Sequence, residues 1–206
     1  RTLEIQSNRI VALSLSDLPS LETVDASINL LTTLTVATLP RLASLNVGAN
    51  RLTALALSGM SSLTTVNASN NWITTFTGAS LPRLSTLYLN SNRLASLDVT
   101  GLTALSNLNV GENRLTSLTL GSLEYLSQVT ASNNSLTSIT VANLPSLSSL
   151  SLGSNKLTQF SATGVPRLEY LTLSSNKLST LTLADYPVLR DISVSGNPLT
   201  NMALTN

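Results

Sequence analysis

Residues 105–125, LSNLNVGENRLTSLTLGSLEY, contain the pattern that decides the fold. Residues 108–110 (L-N-V) and 118–120 (L-T-L) each place one polar residue between two apolar ones, and Asn113 lies between the two segments. In an extended strand, side chains two residues apart point to the same face. The stretch therefore predicts two short strands, separated by a turn that contains an asparagine.

The same frame recurs along the chain at intervals of 21 residues. It reads L-x-x-L-x-L-x-x-N-x-L-x-x-L-x-L-x-x-L-P-x, and its asparagines are Asn8, Asn29, Asn50, Asn71, Asn92, Asn113, Asn134, Asn155, Asn176 and Asn197. A fixed period of this length indicates a solenoid, in which each repeat forms one coil that stacks on the next. Residues 1–206 are predicted to form a single array of about ten coils.

This frame strongly resembles the leucine-rich-repeat family over the whole chain. The resemblance implies a right-handed, mostly β solenoid with a parallel concave sheet. The residues favour a second extended side, because segments such as residues 178–183 (LSTLTL) alternate apolar and hydroxyl side chains and threonine favours strands. The Leu-Pro corners, such as residues 39–40, are predicted to form short 3₁₀ turns.

The ten asparagines are interpreted as structural. An inward asparagine can donate to and accept from backbone groups of its own and the neighbouring coil. Buried polar groups left unpaired would each cost about 1–3 kcal/mol. We therefore expect this column to stabilise the fold and not to form a binding site.

The composition argues against a conventional enzyme. The chain has no His and no Cys, which removes Ser-His-Asp and Cys-His nucleophiles and His or Cys metal sites. Glu4 and Asp25, expected on neighbouring strands, are interpreted as surface charges. The sequence therefore predicts no catalytic residue, no metal ligand and no cofactor.

Charge and hydropathy also limit the partners. Eleven Lys and Arg against ten Asp and Glu give a net charge of +1, which disfavours a dedicated nucleic-acid binder. No apolar run approaches the length of about 18 residues that a transmembrane segment requires. We expect neither nucleic acid as a partner nor a transmembrane segment in this chain.

Two sets of outward residues are candidate binding residues. On the predicted concave face, where aromatic residues are scarce, the candidate contacts are Asn67, Tyr88, Asn109 and Tyr170. The position after each asparagine is basic in six repeats, and these residues, the cationic ridge, are Arg9, Arg51, Arg93, Arg114, Lys156 and Lys177. The ridge is interpreted as a line of charge for a polyanion or as a solvated edge that discourages aggregation.

Two further patterns leave alternatives open. Outward pairs in the second strand, such as Thr75 and Thr77, resemble the ice-binding faces of some antifreeze proteins. Asn67 and Asn133 begin N-x-S triplets and are possible glycosylation sites.

From these patterns we expect a non-enzymatic module located outside the cell or at its surface. It is predicted to be structural, self-associating or protein-binding, with proteins, glycans or further copies of itself end to end as partners. The alternatives are a glycan or polyanion receptor that uses the cationic ridge and an ice-binding protein that uses the outer threonines.

Overall fold

The computed structural model describes residues 1–205, except for the side chain of Ala79. Each 21-residue repeat forms one coil, and we number the coils 1 to 10 by their asparagines, from Asn8 to Asn197. The strands that precede the asparagines are β1 (Thr2–Glu4), β3 (Thr23–Asp25), β5 (Ser44–Asn46), β7 (Thr65–Asn67), β9 (Thr86–Tyr88), β10 (Asn107–Asn109), β12 (Gln128–Thr130), β14 (Ser149–Ser151), β16 (Tyr170–Thr172) and β18 (Asp191–Ser193).

These short strands form one continuous parallel sheet of ten strands, in chain order. Each residue pairs with the residue 21 positions later, as Leu45 does with Val66. The middle residue of each strand points inward, and in the interior strands it is almost wholly buried. The predicted solenoid with a parallel sheet is therefore confirmed.

The opposite side of each coil is also extended, as predicted, but its sheet is not continuous. Its strands are β2 (Ala12–Ser16), β4 (Thr33–Ala37), β6 (Ala54–Ser58), β8 (Thr75–Ala79), β11 (Ser117–Gly121), β13 (Ser138–Ala142), β15 (Ala162–Thr163), β17 (Thr180–Ala184) and β19 (Asn201–Thr205). They form four separate parallel sheets: β2-β4, β6-β8, β11-β13-β15 and β17-β19. In coil 5 the equivalent segment, around Asp98, forms no strand. We call this side the outer side.

The corners between the two sides are single hydrogen-bonded turns. The amide of Leu42 donates to the carbonyl of Leu39 at 3.1 Å, and that of Leu84 donates to Leu81 at 3.2 Å. This i→i+3 bond is the one that a 3₁₀ helix would repeat. Here each corner turns directly into the next strand, and residues 1–205 contain no helix.

The core lies between the two sides and consists mainly of leucine. One large residue is matched by a small one within a coil: a Cβ atom placed on Gly78 would lie 2.9 Å from Cζ of Phe76. The benzyl side chain thus occupies the space that Leu or Val fills at the position of Gly78 in most coils. The large and the small residue thus pack as one unit.

Two residues in most coils adopt the left-handed backbone conformation. One precedes the asparagine that numbers each coil, with φ between 53° and 70° in all ten coils. The other follows the outer strand. At most of these positions the residue is not glycine, and the set includes Ile28 and Thr38. The sequence does not predict this feature, because the residues share no side-chain type.

Candidate functional site

The ten asparagines form a ladder along the inside of the solenoid. In coil 5, Nδ2 of Asn92 donates to the carbonyls of Ala68 at 2.9 Å and Leu89 at 3.0 Å, and Oδ1 accepts from the amide of Ile73 at 2.9 Å. The nine asparagines from Asn29 onward all make this pattern of bonds to their own coil and the coil before. The side-chain amides of these asparagines bond to the backbone, so they have little hydrogen-bonding capacity left for a ligand.

Asn8, in the first coil that the structure describes, differs from the other ladder asparagines in its bonds. Its Nδ2 donates only within its own coil, to the carbonyls of Ile5 and Gln6, both at 3.1 Å, and its side chain is exposed. The stabilising role of this position therefore depends on a neighbouring coil on the N-terminal side.

Three of the four candidate contacts lie side by side on the solvent face of the ten-stranded sheet. Tyr88 pairs with Asn67 in strand β7 and with Asn109 in strand β10. The Oδ1 atoms of Asn67 and Asn109 accept from the amides of Ser69 and Gly111, so both side chains also fix the turn that follows the strand. The tyrosine ring is 38% exposed and is the part of this row available to a partner.

Tyr170 does not join that row. It lies in strand β16, in the neighbouring row of outward residues, and several strands separate it from Tyr88. A pair of side-chain amides that was not predicted from the sequence lies closer to Tyr88. Nδ2 of Asn107 donates to Oε1 of Gln128 at 2.9 Å, and both residues line a shallow depression beside Tyr88. The two residues are 21 positions apart, and in a 21-residue repeat this spacing indicates that they are neighbours.

Of the two neighbouring carboxylates at the start of this sheet, Asp25 is held by hydrogen-bond donors. Glu4 and Asp25 pair across strands β1 and β3. Partial burial would raise the pKa of Asp25, but hydrogen bonds from the hydroxyl and amide of Ser27 and from Asn46 outweigh it and lower that pKa. Asp25 therefore stays ionised and caps a turn. Within residues 1–205, no group of three or more acidic side chains could hold a metal ion.

The cationic ridge runs along one edge of the solenoid. All six of its side chains are exposed. From coil 3 onward its backbone is fixed by bonds between coils: the amides of Arg51, Arg93 and Arg114 each donate to a carbonyl of the preceding coil at 2.9 Å. Trp72 occupies the same position in coil 4 and is 43% exposed. The guanidinium of Arg93 lies 5.1 Å from the centre of the indole ring, which is cation–π distance.

The two N-x-S triplets differ in accessibility. Asn133 is exposed in a turn with φ of 57°. Asn67 is half-buried within strand β7, and its side-chain oxygen accepts from the hydroxyl of Ser69 at 2.7 Å. Of the two, Asn133 has the geometry that a glycan attachment site requires.

The outer threonine pairs lie on interrupted sheets. Thr75 and Thr77 are exposed on strand β8, but the next coil has no outer strand. A regular lattice of hydroxyl and methyl groups requires strands at constant spacing. The array on this side is at most three strands wide in any one sheet.

No helix among the described residues is long and apolar enough to cross a membrane.

Comparisons with known proteins agree with the repeat pattern. A family model described as leucine-rich repeats in two copies matches residues 61–102. A comparison with curated protein sequences gives no significant match. The chain is similar to the crystal structure of the leucine-rich repeat domain of APL1B, with 24% identity, a TM-score of 0.81, and coverage of 95% of this chain and 60% of that chain.

Two other solved structures are similar. The functional domain of InlJ from Listeria monocytogenes has 22% identity and a TM-score of 0.65, with coverage of 97% of this chain and 54% of that chain. The LRIM1/APL1C complex has 23% identity and a TM-score of 0.66, with coverage of 94% and 41%. The chain spans about half the length of the structures that it matches, and at these identities the likeness concerns the fold.

The fold and the ladder together define a parallel β-solenoid of 21-residue coils. Residues 61–102 match a leucine-rich-repeat family model, and the chain has the fold of solved leucine-rich-repeat domains. The fold class and the resemblance to leucine-rich repeats predicted from the sequence are thus confirmed, and the right-handed sense stays a prediction.

Proposed function

We propose that this chain is a non-enzymatic scaffold that binds a protein partner through the solvent face of its ten-stranded sheet. The observation that supports this most is the row of Asn67, Tyr88 and Asn109 near the middle of the sheet, beside the amide pair of Asn107 and Gln128. Tyrosine is enriched among residues that dominate binding energy, particularly near the centre of an interface. Amides beside it supply donors and acceptors for a peptide backbone.

Related folds support a protein partner. A solved complex contains the leucine-rich-repeat proteins LRIM1 and APL1C, and the Arabidopsis receptor kinase HAESA, with a TM-score of 0.55, is solved with a peptide hormone and the co-receptor SERK1. The partners in these complexes are partners of LRIM1, APL1C and HAESA. For this chain they favour a peptide or protein as the class of ligand.

The test compares two tyrosine variants in affinity capture from the secreted proteins of the source organism. Tyr88→Ala removes the ring on the sheet, and Tyr125→Ala removes an equally large ring that is 57% exposed at a corner. We expect the wild type and Tyr125→Ala to retain the same protein, and Tyr88→Ala to lose it. A captured protein that binds Tyr88→Ala and Tyr125→Ala equally well would contradict the proposal.

We further propose an extracellular or cell-surface location. The exposed Asn133 triplet supports it, because N-glycans are attached only in the secretory pathway. Intact-mass measurement of protein secreted from a eukaryotic host should show one glycan, lost in Asn133→Gln and kept in Asn67→Gln. An unglycosylated secreted product would remove this support.

A further inference from the structure

We propose that the cationic ridge binds a linear anionic polysaccharide, at a site separate from the ten-stranded sheet. The near-zero net charge of the chain conceals a strong segregation of charge. Six of its eleven basic residues occupy this one position of the repeat. Among the ten acidic residues, only Glu112 lies within two positions of the ridge in its own coil, directly before a ladder asparagine.

The ridge charges are not neutralised by the protein itself. The ion pairs among residues 1–205 join the amino terminus to Glu22 and Arg190 to Glu169. Neither pair involves a ridge residue. The nearby carboxylate of Glu112 accepts a hydrogen bond from the hydroxyl of Ser91 at 2.9 Å. The ridge therefore presents a line of positive charge that favours a polyanion by long-range attraction.

The spacing of the ridge fits a chain of sugars. Backbone bonds between coils fix its residues at steps of one coil, roughly 4.8 Å apart. This step is close to the rise of one pyranose unit in an extended polysaccharide. Basic residues occur at coils 1, 3, 5, 6, 8 and 9. A polymer with an anionic group on every second sugar would meet most of these charges in register.

The residues beside the ridge favour sugar over nucleic acid. Two positions after the repeat position that the ridge residues occupy, eight of the ten coils carry a hydroxyl side chain: Thr32, Thr53, Thr74, Thr116, Thr137, Thr158, Ser179 and Thr200. Such a row can exchange hydrogen bonds with sugar hydroxyls. The indole of Trp72 supplies one apolar face against which a pyranose can stack. Single-stranded nucleic acids usually bind on several aromatic platforms, and the ridge has one.

The experiment measures binding by calorimetry to two probes, heparin oligosaccharides for sulfate and oligogalacturonate for carboxylate. The ridge variant is Arg93→Glu with Arg114→Glu. Its matched control is Arg41→Glu with Arg83→Glu, which makes the same change of net charge at exposed corners off the ridge. We expect the ridge variant to lose about tenfold or more in affinity for at least one probe, because two attractions become repulsions, and the control to change little.

Three results would overturn the proposal. The first is that the wild type binds neither probe at low salt. The second is that the control variant loses as much affinity as the ridge variant, which would indicate attraction without a site. The third is that a single-stranded oligonucleotide of equal charge binds as tightly as the sugars. Tyr88→Ala should leave polysaccharide binding unchanged, so failure here is distinguishable from failure of the proposed protein-binding face.

Discussion

Ile28 has a side chain that suits its backbone conformation poorly. Its φ is 54°, in the left-handed region, where a β-branched side chain is strained. Asn70 and Asn133 occupy the same position in other coils, and asparagine tolerates this conformation. Because Ile28 is 59% exposed, replacing it sacrifices little buried surface. Ile28→Asn should raise the free energy of unfolding by about 1 kcal/mol in urea titration. Ile28→Val keeps the β-branched side chain and should not raise the free energy of unfolding. If it raises this free energy as much as Ile28→Asn does, backbone strain at Ile28 is not the cause.

Gly78 is required by its neighbour Phe76 and not by its own backbone. A methyl group there would lie 2.9 Å from Cζ of the ring and 3.1 Å from Cδ1 of Leu81. Gly78→Ala should therefore lower the free energy of unfolding by about 1–3 kcal/mol, as overpacking usually does. Gly121→Ala is the control, because its new Cβ atom would lie 3.7 Å from the nearest atom. The double variant Phe76→Leu with Gly78→Val introduces the pair found in coils 2 and 5 and should recover stability.

The asparagine ladder allows the same substitution to be compared in two settings. Asn92→Ala would leave the amide of Ile73 without its partner inside the core and would remove one of the two asparagine donors from each of the carbonyls of Ala68 and Leu89. Asn8→Ala removes only two bonds at an exposed position. The first should cost about 3 kcal/mol or more and the second about 1 kcal/mol or less, by chemical denaturation. Equal costs would mean that the bonds between coils are not what the ladder contributes.

Among the elements, strand β15 begins late, at Ala162, and does not pair with β17. On the side that faces β17, the carbonyl of Ala162 accepts instead from the hydroxyl of Tyr186 at 2.9 Å. The small side chain of Ala162 in the core position follows Phe160 in the same coil. Tyr186→Phe would leave the carbonyl unpaired and should cost about 1 kcal/mol.

The same tyrosine gives the outer side a pH dependence. Burial raises the pKa of Tyr186 above its ordinary value of 10.0, although the bond to Ala162 opposes this. Above pH 10 the unfolded chain loses a proton that the folded chain keeps, so the unfolded state is favoured and stability falls as pH rises. Urea titrations between pH 9 and 11 should show this loss, and Tyr186→Phe should reduce it. An unchanged slope in the variant would exclude Tyr186 as the cause.

The sequence predicts elements well where the side chain determines the structure, and poorly where the backbone does. Leucine alternation locates both strands of a coil, and the ladder asparagine locates the turn between them. The left-handed residues were missed because Ser7, Ala49 and Glu112 share no chemistry, and only the tight turn imposes their φ. The row around Tyr88 was predicted in part, because the repeat fixes which residues are neighbours. The turn-capping bonds of Asn67 and Asn109 depend on turn geometry, which the repeat does not encode.

At the scale of the whole molecule, the two sides of the solenoid differ in continuity. One side is a single sheet of ten strands, and the other consists of four short sheets. In a solenoid each coil contacts only its neighbours, so stability is the sum of local terms. A missing strand on one side is therefore not compensated by distant coils, and the outer side should open more readily than the ten-stranded sheet.

Coil 5 is where this difference should be largest. Asp98 is bonded to the amide and hydroxyl of Thr100, which lowers the pKa of its carboxyl and curls the segment into a turn instead of a strand. Hydrogen exchange followed by mass spectrometry should find amides 96–101 exchanging much faster than those of β9 and β10 in the same region. The matched segment is Ser138–Ala142, whose amides bond within a three-stranded sheet and should be protected. Asp98→Thr restores the residue found at this position in five other coils and should slow exchange in 96–101. Equal protection of the two outer segments in the wild type would show that the long sheet alone determines how the coils open.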